Sequence, residues 1–205
     1  MTKILDEGVI KFKFTLKKAP PLDEGSYIEL EKWRIILFKM KLIGEYPIEK
    51  VGYGNISRKI AGTENEFIIS GTQTGKYQNL NGLQYTRVVK CNLTKMNVEA
   101  TGPIAPSSES LTHFAIYNAC PHINAIFHVH SSDLWQYMID NNMDATSETI
   151  SYGTLEMADE AKKCIGNKKS GVFVMKGHQD GVISYGTSIE EAGKIILDTF
   201  KQSRK

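Results

Sequence analysis

The sequence predicts a single α/β layered domain. Two patterns point to it. Short stretches alternate apolar and polar residues at period two, and between them apolar residues recur every three or four positions. Length agrees: 205 residues match one domain with embellishments. A chain of that size buries about 70% of its unfolded surface, enough for a core without staples. No internal repeat or low-complexity stretch interrupts the pattern.

Taken in order, Val9–Phe14 alternates and reads as a strand. The run Ala19-Pro20-Pro21-Leu22-Asp23-Glu24-Gly25 is loop-like and divides an N-terminal arm, residues 1–25, from a domain over residues 26–205. From Tyr27 to about Ile43, Leu30, Trp33, Leu37, Met40 and Ile43 line one face of a helix that Gly44 ends. Phe67–Ile69 and Val88–Cys91 read as short buried strands between glycine-rich turns. Pro106-Ser107-Ser108-Glu109 opens a second helix with a serine cap and an acidic first turn, and Pro121 stops it. Across Ile123–His130 the even positions face one way; Ile123, Ala125, Phe127 and Val129 face the other. Helices follow around Asp133–Asn141 and Leu155–Ile165. Gly171–Met175 is a strand, and Ser188 caps a last helix over Ile189–Phe200.

Composition narrows the function. Lys and Arg number 25 against 23 Asp and Glu, a formal charge of +2. Nucleic acid or an anionic membrane would call for a clustered basic excess. The three cysteines, Cys91, Cys120 and Cys164, form no CxxC pair, which argues against a disulfide scaffold or a cysteine zinc knuckle. Reduced thiols fit a cytoplasmic protein. The N-terminus lacks the apolar core of a secretory signal, and no apolar run nears the roughly 18–20 residues of a membrane span. The sequons at Asn55 and Asn92 then have no role.

His128-Val129-His130 is the sharpest chemical feature. On a strand, residues i and i+2 share a face, so both imidazoles can reach one ion at about 2.0–2.1 Å. Imidazole suits zinc, iron, nickel or copper, so the pair does not name the metal. Alone, such a pair fits two half-buried histidines equally well. A catalytic metal needs a third ligand. His178, in Lys176-Gly177-His178-Gln179-Asp180-Gly181 after an apolar strand, is the best candidate; by itself it reads as a turn histidine. His113 is expected to pack and His122 to be exposed.

Glu109 either complements a helix dipole or ligates the metal at rest and takes a substrate proton when displaced. Ser107 and Ser108 beside it offer hydroxyls and N–H groups suited to a phosphate. Gly52-Tyr53-Gly54-Asn55 and Ser70-Gly71-Thr72-Gln73-Thr74-Gly75-Lys76 are further candidate anion loops or plain turns. The second is no P-loop, because three residues separate its glycines and Tyr77 follows the lysine.

In order, Gly54-Asn55-Ile56-Ser57-Arg58, Phe67-Ile68-Ile69-Ser70-Gly71-Thr72, Pro106-Ser107-Ser108-Glu109, Ala125–Ser131 with its two histidines, and Tyr152-Gly153-Thr154 with Glu156 resemble motifs of the class II aldolase/adducin family. His178 falls where a third histidine belongs. The resemblance implies a three-layer α/β/α domain with a largely antiparallel central sheet. It implies a homotetramer with active sites at subunit interfaces. It also implies a zinc-dependent aldolase like the L-fuculose-phosphate enzymes, cleaving a ketose 1-phosphate into dihydroxyacetone phosphate and an aldehyde. By carry-over His128, His130, His178 and, at rest, Glu109 hold the metal, which acts as a Lewis acid. Glu109 moves the proton. Gly54, Asn55, Gly71, Thr72, Ser107 and Ser108 grip the phosphate.

Glutamate at position 109 favours aldolase over epimerase chemistry and leaves dehydration open. A non-catalytic, adducin-like assembly module is the third reading. Three departures stand out. The stretch from Ser131 to Ser151 is short and holds only Tyr137, where aldolases carry a catalytic tyrosine. No tyrosine follows Tyr185, and Gln179-Asp180 separates His178 from Gly181. The first 25 residues have no counterpart in the family pattern.

Overall fold

A computed structural model of the protein describes residues 8–205. In chain order it contains β1 (Lys13–Lys18), α1 (Glu24–Lys39), β2 (Gly44–Glu45), β3 (Gly52–Tyr53), β4 (Asn55–Lys59), β5 (Phe67–Ser70), β6 (Tyr85–Asn92) and β7 (Asn97–Gly102). Then come α2 (Ser110–Ala119), β8 (Ala125–His130), α3 (Ser132–Asp140), α4 (Leu155–Ile165), β9 (Gly171–Val174), β10 (Gly181–Gly186) and α5 (Ile189–Gln202). Eight strands make one sheet in the order β1-β7-β6-β5-β4-β8-β10-β9, and β2 and β3 pair as a separate ribbon. The pairs in the large sheet are antiparallel except β1 with β7.

Helices cover both faces. Leu111, Ile116 and Tyr117 of α2 and Met157, Ala161 and Ile165 of α4 pack on Phe67, Ile69, Ile126, Phe173 and Ile183. On the other face α1, α3 and α5 bring Leu30, Leu37, Leu134, Met138, Ala192, Ile196 and Phe200 against Ile56, Phe127, Val129 and Val182. The architecture is the three-layer α/β/α arrangement with a largely antiparallel sheet. Two apolar faces explain why central strands such as β8 and β10 are buried at every position.

Several boundaries differ from the sequence expectation. The first strand starts at Lys13 rather than Val9, because the Tyr152 hydroxyl takes both the N–H and the C=O of Val9, each at 3.2 Å. α1 ends at Lys39, short of Gly44, and Lys41 turns the chain at φ 58°. Leu42 and Ile43 stay buried beyond the helix, so the apolar period outlasts it. α2 begins at Ser110 with Glu109 in the cap position, and the expected serine cap is absent. Instead the Ser107 carbonyl accepts from the N–H and hydroxyl of Ser110, closing a tight turn before the helix. Ile123 precedes β8 in a turn and packs with Ile126, not with Phe127. Strands β4, β7 and β10 have no counterpart in the sequence reading.

Among the described residues no helix is long and apolar enough to cross a membrane. The cysteines are free thiols.

Candidate active site

Strand β8 aims His128 and His130 at the α2 side of the sheet. β10 runs antiparallel beside it, with Gly181 opposite His130. The β9–β10 connection folds His178 back over that pair: its N–H donates to the Met175 carbonyl, and its own carbonyl accepts from Gly181. Ring nitrogens of His128, His130 and His178 all lie within 4.8 Å of one another. The Nε2 atoms of His128 and His130 are 2.9 Å apart. The three side chains are 0%, 4% and 5% exposed. Burial, then the neighbouring histidines, holds His128 and His130 well below the usual imidazole range. Both are therefore neutral, the form that ligates a metal.

Glu109 enters from the start of α2. Its carboxylate is buried, with Oε1 4.0 Å from Nε2 of His178. Three converging imidazoles beside a buried carboxylate form a donor set of the kind that holds a divalent transition metal.

Gly54, Asn55, Gly71, Thr72, Ser107 and Ser108 line one small cleft, together with Gly8, Gly52, Gln73, Thr74 and Gly75. Three links assemble it. Asn55 begins β4 directly opposite His128. Gly71 bridges Pro106, and the Thr72 N–H donates to Ala105, so the second loop abuts the serine turn. The Gln73 side-chain carbonyl accepts from the Gly52 N–H at 2.8 Å, tying the two loops together. Gly54 adopts φ 75°, and a Cβ there would sit 2.8 Å from the Ile43 side chain and 3.1 Å from the His128 carbonyl. Only glycine lets the loop lie this close to the histidine strand. The lining holds amides and hydroxyls with no charged side chain, which suits an anion bound through backbone and hydroxyl donors.

The other expectations resolve individually. His113 is buried in α2 with Nδ1 2.7 Å from the Ser57 hydroxyl, which also meets the Tyr117 hydroxyl at 2.7 Å. Burial pushes the His113 ring down to about 3, so it stays neutral. His122 is exposed and reaches the Lys168 carbonyl. Tyr137 packs with the α1, α3 and α5 core, on the sheet face away from the histidines.

Three tyrosines to which the sequence reading gives no role surround the cluster. The Tyr46 hydroxyl is 3.0 Å from Nδ1 of His130, Tyr53 packs 5.6 Å from the same ring, and Tyr152 packs 4.5 Å from His178. The sequence signal for Tyr53 is its place between Gly52 and Gly54; Tyr46 has no such mark. Tyr152 also ties the N-terminal segment to the site: it holds Val9 by two hydrogen bonds, and Lys11 sits 3.8 Å over its ring.

Residues 39–198 match the family described as Class II Aldolase and Adducin N-terminal domain. An L-fuculose phosphate aldolase of Methanococcus vannielii is 29% identical over 101 residues, 42% of this chain and 52% of that one. The match thus spans about half of that relative. Among solved structures, an L-fuculose 1-phosphate aldolase superposes with a TM-score of 0.67 at 18% identity, over 90% of this chain and 85% of the other. The Escherichia coli protein YgbL, described as a candidate aldolase/epimerase/decarboxylase, gives 0.68 at 16% identity over 88% and 87%. At these identities the structural likeness shows the fold. The family match spans most of the chain, and on it this protein belongs to the class II aldolase and adducin N-terminal domain family.

Proposed function

We propose that the protein is a metal-dependent lyase that cleaves a ketose 1-phosphate, or a related sugar phosphate, into dihydroxyacetone phosphate and an aldehyde. The observation that carries this reading is the convergence of three buried histidines and a buried glutamate next to a cleft lined by hydroxyls and amides. In this reading His128, His130 and His178 hold the ion, Zn²⁺ in the first instance, with Glu109 as a further ligand at rest. Bound there, the metal supplies Lewis acidity to substrate oxygens and stabilises the charge that develops when the carbon–carbon bond breaks.

The residues of this chain do the rest. Gly54, Asn55, Gly71, Thr72, Ser107 and Ser108 hold the phosphate through hydroxyls, an amide and backbone N–H groups. That grip would fix the substrate with the carbon released by the broken carbon–carbon bond, on the far side of the carbonyl from the phosphate, beside Glu109, which carries the proton to and from it. Burial of the three histidines limits water around the developing charge. The name of the M. vannielii relative supports a sugar phosphate as substrate. A homotetramer in the cytoplasm completes the proposal.

Epimerisation or dehydration at the same site is the second reading. It is favoured by Tyr137, which packs on the far face of the sheet and leaves the Ser131–Ser151 stretch of this chain without a tyrosine at the site. Metal-loaded protein assayed against a panel of ketose 1-phosphates decides between them. Release of dihydroxyacetone phosphate supports the lyase. NMR detection of an inverted or dehydrated product in its place supports the second reading, and no turnover on any member overturns both.

A further inference from the structure

In the cluster, a tyrosine hydroxyl stands against the outward nitrogen of His130. Its two ring nitrogens face opposite partners: Nε2 lies 2.9 Å from Nε2 of His128, and Nδ1 lies 3.0 Å from the Tyr46 hydroxyl. A neutral imidazole carries one proton, and a nitrogen that ligates a metal must be bare. The proton then belongs on Nδ1, where the Tyr46 oxygen is placed to accept it.

We propose that Tyr46 is a positioning residue for His130: its hydroxyl oxygen accepts the Nδ1–H and so keeps Nε2 bare and turned toward His128. The inference rests on the metal-site reading above and deepens it. Tyr46 is held on two sides. Its N–H donates to the Val51 carbonyl and its carbonyl accepts from Lys50, closing the loop between β2 and β3. Its ring packs on Tyr53 at 4.7 Å and meets His130 edge-on at 82°. The hydroxyl is therefore presented by a small ribbon that stands outside the large sheet.

Tyr53 provides an internal contrast. It packs against the same His130 ring, but its hydroxyl donates to the Lys41 carbonyl at 3.3 Å. The two tyrosines share apolar contact with the histidine and differ in the hydrogen bond. A surface recess lined by Tyr46, Tyr53 and His130 borders the contact. Water can fill the place of a deleted hydroxyl, so the expected loss is at the low end of the roughly 10–100-fold range for such outer partners.

The test uses the full chain and Zn²⁺ alone, with affinity read by chelator competition, and long-range ¹H–¹⁵N spectra to report the His130 tautomer. Tyr46→Phe is expected to weaken Zn²⁺ binding about tenfold and to lower the Nδ1–H fraction of His130. Tyr53→Phe is expected to change affinity less than about twofold. Three results overturn the inference while leaving the metal site intact: unchanged affinity in Tyr46→Phe, an equal loss in Tyr53→Phe, or an Nε2–H tautomer in the unmodified protein. A protein that binds no stoichiometric Zn²⁺, or a His128→Ala variant that binds it fully, overturns the metal reading and this inference together. The tautomer of the unmodified protein decides the matter even where the Tyr46 variant folds poorly.

Discussion

Glu109 and His178 meet at 4.0 Å, Oε1 to Nε2, although they come from a helix start and a hairpin some seventy residues apart in the chain. Both side chains are buried, so the carboxylate stands where an ion on the histidines and a substrate carbon would both be in reach. Glu109→Gln keeps the shape and removes the proposed base. Its turnover is expected to fall by about 10²–10⁴-fold, the usual contribution of a general base. Steady-state kinetics on a sugar phosphate that the panel assay shows to be turned over checks this, and an unchanged kcat would sink the role.

Gly181 lies under the same histidine. A Cβ at this position would stand 2.5 Å from Cδ2 of His178 and 3.2 Å from Cε1 of His128. Gly181→Ala must therefore displace His178, a shift of the kind that costs roughly tenfold in metal affinity. Metal titration against a competing chelator should show the loss. Full affinity in the variant would mean that His178 has room to relax.

Metal removal should read out as lost stability. An ion held at 100 times its dissociation constant adds about 2.7 kcal/mol, and for a chain this long each kcal/mol moves Tm by about 2–4 °C. Chelation is thus expected to lower Tm by about 5–10 °C. His128→Ala should melt at one temperature with or without chelator. A chelator-insensitive unmodified protein would count against the site.

Far from the site, Glu31 of α1 accepts from Arg34 at 2.8 and 3.0 Å, from the Leu80 N–H and from the Tyr85 hydroxyl. Arg34 also reaches the Gln78 carbonyl, and both charges are buried. Removing one partner strands the other, so Glu31→Gln is expected to cost about 3–5 kcal/mol. Urea unfolding measures it. Metal content of the folded fraction should not change.

His113 makes stability depend on acid. Its folded-state pKa is lowered to about 3 by burial, while an exposed histidine titrates near 6.5. Below about pH 6.5 the unfolded chain takes up a proton that the folded chain refuses. The penalty is absent above that pH and grows by about 1.4 kcal/mol per unit as pH falls toward 3. His113→Gln loses the hydrogen bond to Ser57 at every pH but escapes this penalty. The stability gap between the two proteins should therefore narrow between pH 7.5 and 5, as followed by denaturant melts. A constant gap would show that the ring protonates in the fold.

Local chemistry made much of the molecule legible. The pairing of His128 with His130 follows from strand geometry alone, and α4 and the Ser188 cap follow from periodicity and a hydroxyl before an apolar run. The ordered motifs were enough to suggest the family. Three things were decided only by tertiary structure. β10 is buried on both faces, so its sequence carries no amphipathic signal, yet it sits beside β8 and brings Gly181 under the histidines. The candidate anion cleft gathers four separate segments of the chain, held by contacts such as Gly71 to Pro106 that no local pattern encodes. Tyr46, Tyr53 and Tyr152 are ordinary aromatics in the sequence, and only the folding of the ribbon and the α3–α4 connection onto the sheet sets them against the imidazoles. Local sequence fixes which way a side chain points from its own strand or helix, but which distant groups it meets depends on long-range packing.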